Sequence, residues 1–412
     1  MSAKLVVTLP RACTGEDALD FARVARRRGA QMIELRSDLH QVEDIDASEL
    51  ARRLELIVSE RGRPLPRAWL VAASEVDRPL GSPTRGVTVV SHHAARPMSP
   101  DAAVALWERR RPGAAAIKHV EPLGRPSTGA RLLVTQRRLV ERFGAGRVTV
   151  LCTGPLALAF RALLAARNGF EYVAFDDRSY AAEGQRLLSD ARRERAARLA
   201  AGRARRAILG SGIASSRSPL VHRQPFDRLD LPADADLGSL LRVLHAYYDG
   251  FAVTSPFKMK VARLISAKEA AVNTLIRRAD GWTGSNTDVD GALAILRSLR
   301  ARNVTALGDG GATSALRVAA ARSGMRLRVL RRRDVSKQPL GGTLIWTWPR
   351  GVSPPDALRF ARARVAVITY GPPARRIEAE IQKRGGVPVP LGRLWFDTQA
   401  RAQKRLWDAE SP

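Results

Sequence analysis

Short apolar runs alternate with helical stretches along the first half of the chain. Strand-like runs stand at Leu5–Leu9, Met32–Leu39, Trp69–Ser74, Val87–His92, Ala115–Val120, Val148–Cys152 and Tyr172–Phe175. Between most of them the apolar spacing becomes helical, as over Gly15–Arg28, Pro100–Arg110 and Gly129–Arg142. Such alternation predicts an α/β fold with a parallel sheet, and its length suits a (β/α) barrel. Seven strands stand where a standard barrel has eight, so a shortened, TIM-like barrel is expected. Asp190–Arg206 is rich in Arg and Ala and has no Gly or Pro before Gly202, which predicts a helix joining the halves. A new strand, Arg206–Leu209, opens the second half, and Thr305–Leu307 leads into a glycine turn and helix at Gly308-Asp309-Gly310-Gly311. The expected division is 1–195 for the barrel, 204–302 for a substrate lobe, 303–380 for a Rossmann lobe, and 381–412 for a returning C-terminal helix.

Composition narrows the classes. A chain of 412 residues suits two domains of roughly 200 residues each. No apolar run reaches the ~20 residues of a membrane-spanning helix, and the start, Met1 to Thr8, lacks the apolar stretch of a signal peptide. Cys13 and Cys152 are the two cysteines, which argues against a disulfide framework or a cysteine metal site. A cytoplasmic protein without a resident metal is the expectation. The net charge of +29 raises nucleic-acid binding as a class. Against it, the excess is spread along the chain and aromatics are only 5% of residues, so stacking platforms are scarce. A basic field equally suits carboxylate substrates and a dinucleotide phosphate.

Five motifs follow one another in the second half: Ser215-Ser216-Arg217-Ser218-Pro219, Val253-Thr254-Ser255-Pro256-Phe257-Lys258, Ala271-Val272-Asn273-Thr274-Leu275, Gly284-Ser285-Asn286-Thr287-Asp288, and the turn at Gly308. Reducing a ketone needs a hydride donor on one face and a proton donor near the oxygen, a role open to Lys258. Ser216 and Ser218 sit two apart in an extended segment, so both hydroxyls can face one carboxylate. Each motif alone also reads as an ordinary turn or surface lysine. The ordered set resembles the shikimate dehydrogenases over nearly the whole second half. That resemblance implies Lys258 and Asp288 as the catalytic pair, with Thr254, Asn273 and Gln399 meeting ring hydroxyls. Gly308, Gly310, Gly311 and Ala312 fit a turn that brings backbone amides to a pyrophosphate, although Asp309 is acidic where the family has a small residue. Arg331, Arg332 and Arg333 end the next strand and favour the 2′-phosphate of NADP over NAD. Trp346-Thr347-Trp348-Pro349-Arg350-Gly351 departs from the family's loop.

In the first half, Glu34, Arg36 and Asp38 stand at alternate positions, which directs them to one strand face. Such a face is costly inside a barrel unless it meets a polar site. Lys118 lies within an apolar strand, where desolvation favours the neutral, nucleophilic amine. These residues resemble the type I 3-dehydroquinate dehydratases over roughly 4–192. The resemblance implies an imine on Lys118, proton transfer by His93 rather than His92, and substrate contacts from Glu34, Arg36, Arg161 and Gln185. Ala73 stands where that family has an arginine, and by the same comparison one strand is missing before Val87. A bifunctional fusion acting on 3-dehydroquinate and 3-dehydroshikimate is the leading expectation. An active dehydrogenase half on a scaffold barrel, and a basic nucleic-acid-binding relative, stay open beside it.

Overall fold

The computed structural model describes residues 3–41, 43–69, 73–77, 87–110, 116–199, 205–222, 226–348 and 353–409. Val71, Ala72, Ala115 and the loop positions 349–351 named above lie outside the described residues. The chain divides into two compact units, one of residues 1–205, 212–219 and 223–247, the other of 206–211, 220–222 and 248–412.

The first stretch runs β1 (Lys4–Thr8), α1 (Gly15–Arg27), β2 (Met32–Arg36), α2 (Ala47–Arg53), β3 (Glu55–Ser59), β4 (Ala73–Val76), β5 (Val87–His93), α3 (Pro100–Arg110), β6 (Ala116–Pro122), α4 (Pro126–Phe143), β7 (Val148–Thr153), α5 (Ala157–Leu164), β8 (Phe170–Ala174), β9 (Arg186–Leu187) and α6 (Leu188–Leu199). There follow β10 (Arg206–Gly210), α7 (Ser218–His222), β11 (Phe226–Asp230), α8 (Leu237–Leu244), β12 (Gly250–Val253), α9 (Lys258–Leu264), β13 (Thr274–Arg278), β14 (Gly281–Ser285), α10 (Asp288–Leu299) and β15 (Asn303–Leu307). The last elements are α11 (Gly311–Ser323), β16 (Arg326–Leu330), β17 (Thr343–Trp346), β18 (Arg364–Val367), α12 (Pro372–Lys383), β19 (Val387–Pro390) and α13 (Gly392–Ala409).

In the first unit a curled parallel sheet runs β7-β6-β5-β4-β3-β2-β1-β8-β9. Three expectations are corrected here. Residues 78–86, before Val87, where a strand was expected to be missing, lie outside the described residues; a strand beyond the seven read from the sequence is present as β3. Its residues follow α2 with no glycine or proline between; Leu54, already extended, still donates its N–H to Leu50 O, so strand and helix merge in the sequence. The joining helix does not reach Arg206 as expected: α6 is described over Leu188–Leu199, and Arg206 begins β10. β2 likewise stops at Arg36, because the N–H groups of Leu39 and His40 both turn back onto Arg36 O at 3.2 Å.

The sheet faces differ. Outward, Leu5, Val7, Ile33, Leu35, Leu56 and Val58 pack under Ala18, Ala22, Ala25 and Leu50 of α1 and α2. Inward, Val6, Met32, Ile57, Val89, Val120, Leu151 and Tyr172 form a second apolar cluster. That alternation follows from the strand period of two. Among the described residues β7 and β8 share no ladder. Gly169 N donates to Val148 O at their starts, and the Arg161 guanidinium bridges farther up, donating to Cys152 O (2.9 Å) and Tyr172 O (3.4 Å).

In the second unit β10 pairs parallel with β12, and β13 pairs antiparallel with both β12 and β14. A separate sheet, β16-β15-β17-β18-β19, is parallel throughout. α10 and α11 close one core over it through Ala292, Ile295, Ala315 and Leu316. α13 docks on β13 through residues four apart, hence on one helical face. Gln403 Nε2 donates to Asn273 O (2.9 Å) and Trp407 Nε1 to Leu275 O (2.9 Å). A Cβ on Gly250 would overlap the Trp407 indole and stand 2.9 Å from Leu275 O. Gly250→Ala should therefore cost about 1–3 kcal/mol by overpacking. Calorimetric melting checks this, and an unchanged midpoint would contradict the docking of Trp407.

Candidate active sites

The inner face of the first unit carries one connected polar layer. Glu34 accepts from Thr8 Oγ1 (2.6 Å) on one oxygen and from Ser59 Oγ (2.8 Å) on the other. Glu75 is the hub. It is fully buried and accepts from Lys118 Nζ on both oxygens (3.0 Å each), from Tyr172 O–H (2.7 Å) and from Arg61. Lys118 Nζ also lies 3.6 Å from the Tyr172 ring centroid, a cation–π contact. Arg61 reaches Ser91 Oγ at 3.3 Å.

Burial lowers the pKa of Lys118, Arg61 lowers it further, and Glu75 opposes both; the net direction is down. For Glu75, burial alone would raise the carboxyl, but Lys118 and Arg61 outweigh it and hold the group well below the usual carboxylate range. His93 ends β5 on the inner side, where desolvation and the charges of Arg61 and Lys118 bring it down to about 4. His92, one residue earlier, faces the other way and pairs with Arg110. Arg36 forks onto Asp38 (3.0 and 2.7 Å) and donates to Ala181 O (3.4 Å). Gln185 holds the same loop, its Oε1 accepting from Ala181 N (2.8 Å) and Ala182 N (3.3 Å).

The sequence reading missed Arg61, Glu75 and Tyr172. Ala73 leaves no cation at its own position; Arg61, which follows the unrecognised β3, brings one to this layer. Arg161, expected at a substrate carboxylate, is 6% exposed and donates to the carbonyls of the β7–β8 seam. An inner position two residues after Ala73 was the signal that could have found Glu75.

Ser216 and Ser218 are buried in the first unit with their hydroxyls 3.3 Å apart, and Ser218 N donates to Ser216 Oγ at 3.3 Å. In the second unit Lys258 opens α9 and is paired with Asp288, the first residue of α10. Asp288 is 3% exposed and Lys258 19% exposed, so the carboxylate is the more deeply buried partner. Asn273 is held from every direction. Its Oδ1 accepts from Thr287 N (2.8 Å) and Thr274 Oγ1 (2.8 Å), while its Nδ2 donates to Gln399 Oε1 (3.1 Å) and Thr287 Oγ1 (3.0 Å). Thr254 lies at the end of β12, its N–H donating to Leu209 O (2.9 Å).

The glycine turn lies close to this cluster. Gly308 takes φ +126°, which only glycine adopts readily, and a Cβ there would meet Thr347 Oγ1 and Trp348. Gly310 caps α11 without a side-chain bond, and a Cβ on it would face open space. Ala312 packs against the α10–α11 core. The turn therefore fits a pyrophosphate: a bare helix start with room above it. A Cβ on Gly311 would come 3.3 Å from Lys258 Cδ, so the turn adjoins the Lys258–Asp288 pair. Asp309 binds Arg317 Nη2 (3.0 Å) and Arg331 Nε (3.0 Å), while Arg332 and Arg333 are exposed. Trp346 and Trp348 are buried and pack edge-to-face at 5.0 Å. Among the described residues no group of three or more His, Cys, Asp and Glu is arranged to hold a metal ion, and no helix is long and apolar enough to cross a membrane.

No family model matches the chain. A shikimate dehydrogenase (NADP(+)) of Microcystis aeruginosa is 38% identical over 136 residues, which is 28% of this chain and 48% of that protein. The chain thus spans about half the length of several curated relatives it matches. A shikimate dehydrogenase (NADP(+)) of Hyphomonas neptunium is 31% identical over 214 residues, 46% of this chain and 75% of that protein. Among solved structures, the dehydroquinate dehydratase and shikimate dehydrogenase from S. pombe overlaps 99% of this chain and 96% of its own, at 18% identity and a TM-score of 0.36. With three quarters of a relative's length matched at 31% identity, the chain belongs to the shikimate dehydrogenase family.

Proposed function

We propose that the second half of this chain interconverts 3-dehydroshikimate and shikimate with NADP, and that the first half dehydrates 3-dehydroquinate to supply it. The observation that carries the first claim is the Lys258–Asp288 pair beside the start of α11. Asp288, buried, holds the ammonium; Lys258 delivers its proton to the ketone oxygen and offsets the alkoxide charge that develops there. NADPH, when bound, supplies the hydride. Gly308, Gly310, Gly311 and Ala312 would hold its pyrophosphate, with Arg331, Arg332 and Arg333 toward the 2′-phosphate. Ser216 and Ser218 are assigned the substrate carboxylate, and Thr254, Asn273 and Gln399 its ring hydroxyls. The division into 1–195, 204–302, 303–380 and 381–412 belongs to the same reading.

In the first half, the neutral amine of Lys118 attacks the ketone carbon and the ketone oxygen leaves as water, giving an imine, for which its lowered pKa is suited. His93, neutral above about pH 4, takes the proton from the carbon next to the imine carbon and passes it to the β-hydroxyl, whose C–O bond breaks as water leaves. Glu34, Arg36, Arg161 and Gln185 are assigned to substrate. A second reading, in which the first half is only a scaffold, is favoured by the two-oxygen grip of Glu75 on Lys118. Borohydride added with 3-dehydroquinate separates the two. A mass increase mapping to Lys118 is the expected result; a folded protein without that adduct leaves the scaffold reading. Oxidation of shikimate by the full chain, followed with NADP and with NAD, tests the second half independently.

A further inference from the structure

Asp309 is an unusual residue for its position. It is the second residue of the glycine turn, next to the ground where a dinucleotide's phosphates meet a helix start. Acid here opposes phosphate. Its carboxylate is spoken for within the chain: Oδ1 accepts from Arg317 Nη2 of α11 and Oδ2 from Arg331 Nε and Nη2 at the end of β16, each at 3.0 Å. The Asp309 side chain is 31% exposed and its two partners 54% and 52%, so the pairs are partly solvated and can open. The bonds to Arg317 and Arg331 hold the carboxyl below its usual range, so the carboxylate stays charged at neutral pH.

We propose that Asp309 sets the balance between NADP and NAD by occupying Arg331. The inference rests on the NADP-dependent reading above and changes what that reading says about the arginine run. Discrimination between the two dinucleotides is made where the second strand of the unit ends, by an acid facing a 2′-hydroxyl or an arginine facing a 2′-phosphate. This chain has both at one point. Arg331 carries the strand-end charge, and Asp309 is an internal anion already bound to it. A 2′-phosphate must displace Asp309 from Arg331 or rely on the exposed Arg332 and Arg333. NAD, lacking that phosphate, meets no such competition. The chain's preference for NADP is therefore weaker than three consecutive arginines imply, and it is tunable at a residue outside the arginine run.

Titration calorimetry on the full chain tests this, with NADP⁺ and NAD⁺ each added to the parent, Asp309→Asn, Asp309→Glu, and Asp309→Asn combined with Arg331→Ala. Asp309→Asn is expected to tighten NADP⁺ about three- to tenfold, the scale of a partly exposed charge pair, and NAD⁺ less than twofold. Asp309→Glu should restore the parent ratio, and Arg331→Ala should cancel the gain. Equal tightening of both dinucleotides would place the effect of Asp309 on the shared pyrophosphate and overturn the proposal, as would no change in either. A parent chain that binds neither dinucleotide would instead overturn the dehydrogenase reading, and this inference with it.

Discussion

Replacing Lys258 by methionine is expected to lower kcat for shikimate oxidation about 10²–10⁴-fold, the range of a positioned general acid–base group. Methionine is preferable to alanine because the lysine stem has packing to preserve: its Cδ lies against Gly311. NADP⁺ binding measured by calorimetry should stay within about twofold, since the ammonium points to Asp288. Asp288→Asn should also lower kcat, because it removes the charge that holds the ammonium while keeping shape. Arginine at 258 should not rescue, since a guanidinium does not release its proton. KM should move little in every case if the pair acts in the transition state rather than in binding. An unchanged kcat in Lys258→Met would remove Lys258 from the chemistry.

The parts of both sites that were legible in the sequence are those carried by one element or by a short motif. Glu34 and Arg36 announced an inner face because a strand has period two and charge on a core face requires a reason. Lys258, Asn273 and Asp288 announced themselves by order: lysine after Pro-Phe, then Asn-Thr, then Asn-Thr-Asp. The choice of His93 over His92 came from the resemblance, and strand alternation turns the two to opposite faces of β5.

What stayed hidden was assembled across strands. Glu75 meets Lys118 from 43 residues away and Tyr172 from 97. Alone, Glu75 reads as a polar residue near a turn and Tyr172 as an ordinary strand aromatic. Arg61 was invisible for another reason. Its position follows only once β3 is recognised, and β3 follows α2 without a break. The carbonyl contacts of Arg161 were hidden because the seam between β7 and β8 is a tertiary feature. Carbonyls left without a ladder partner there must find donors, and a buried guanidinium supplies them.

Glu75→Gln should destabilise the first unit by about 3–5 kcal/mol, the cost of leaving buried charge uncompensated. Two cations, Lys118 and Arg61, depend on this one carboxylate, and its side chain is 0% exposed. Glu34 is committed to Thr8 and Ser59 and cannot replace it. For a unit of this size the loss corresponds to a fall in melting midpoint of roughly ten degrees, at about 2–4 °C per kcal/mol. The pH dependence gives a sharper signature. The native pKa of Glu75 lies below the unfolded value of about 4.3, so its contribution is fully present above that value. It is lost as pH falls from there toward the native pKa. The parent should lose stability steeply below about pH 4, and the Gln variant should show a flatter acid limb. Urea unfolding across that range checks both. The same substitution removes the group that favours the Lys118 ammonium, so any imine trapping at Lys118 should persist to lower pH in the variant. A variant of unchanged stability with an unchanged acid limb would mean that Glu75 does not carry the two cations.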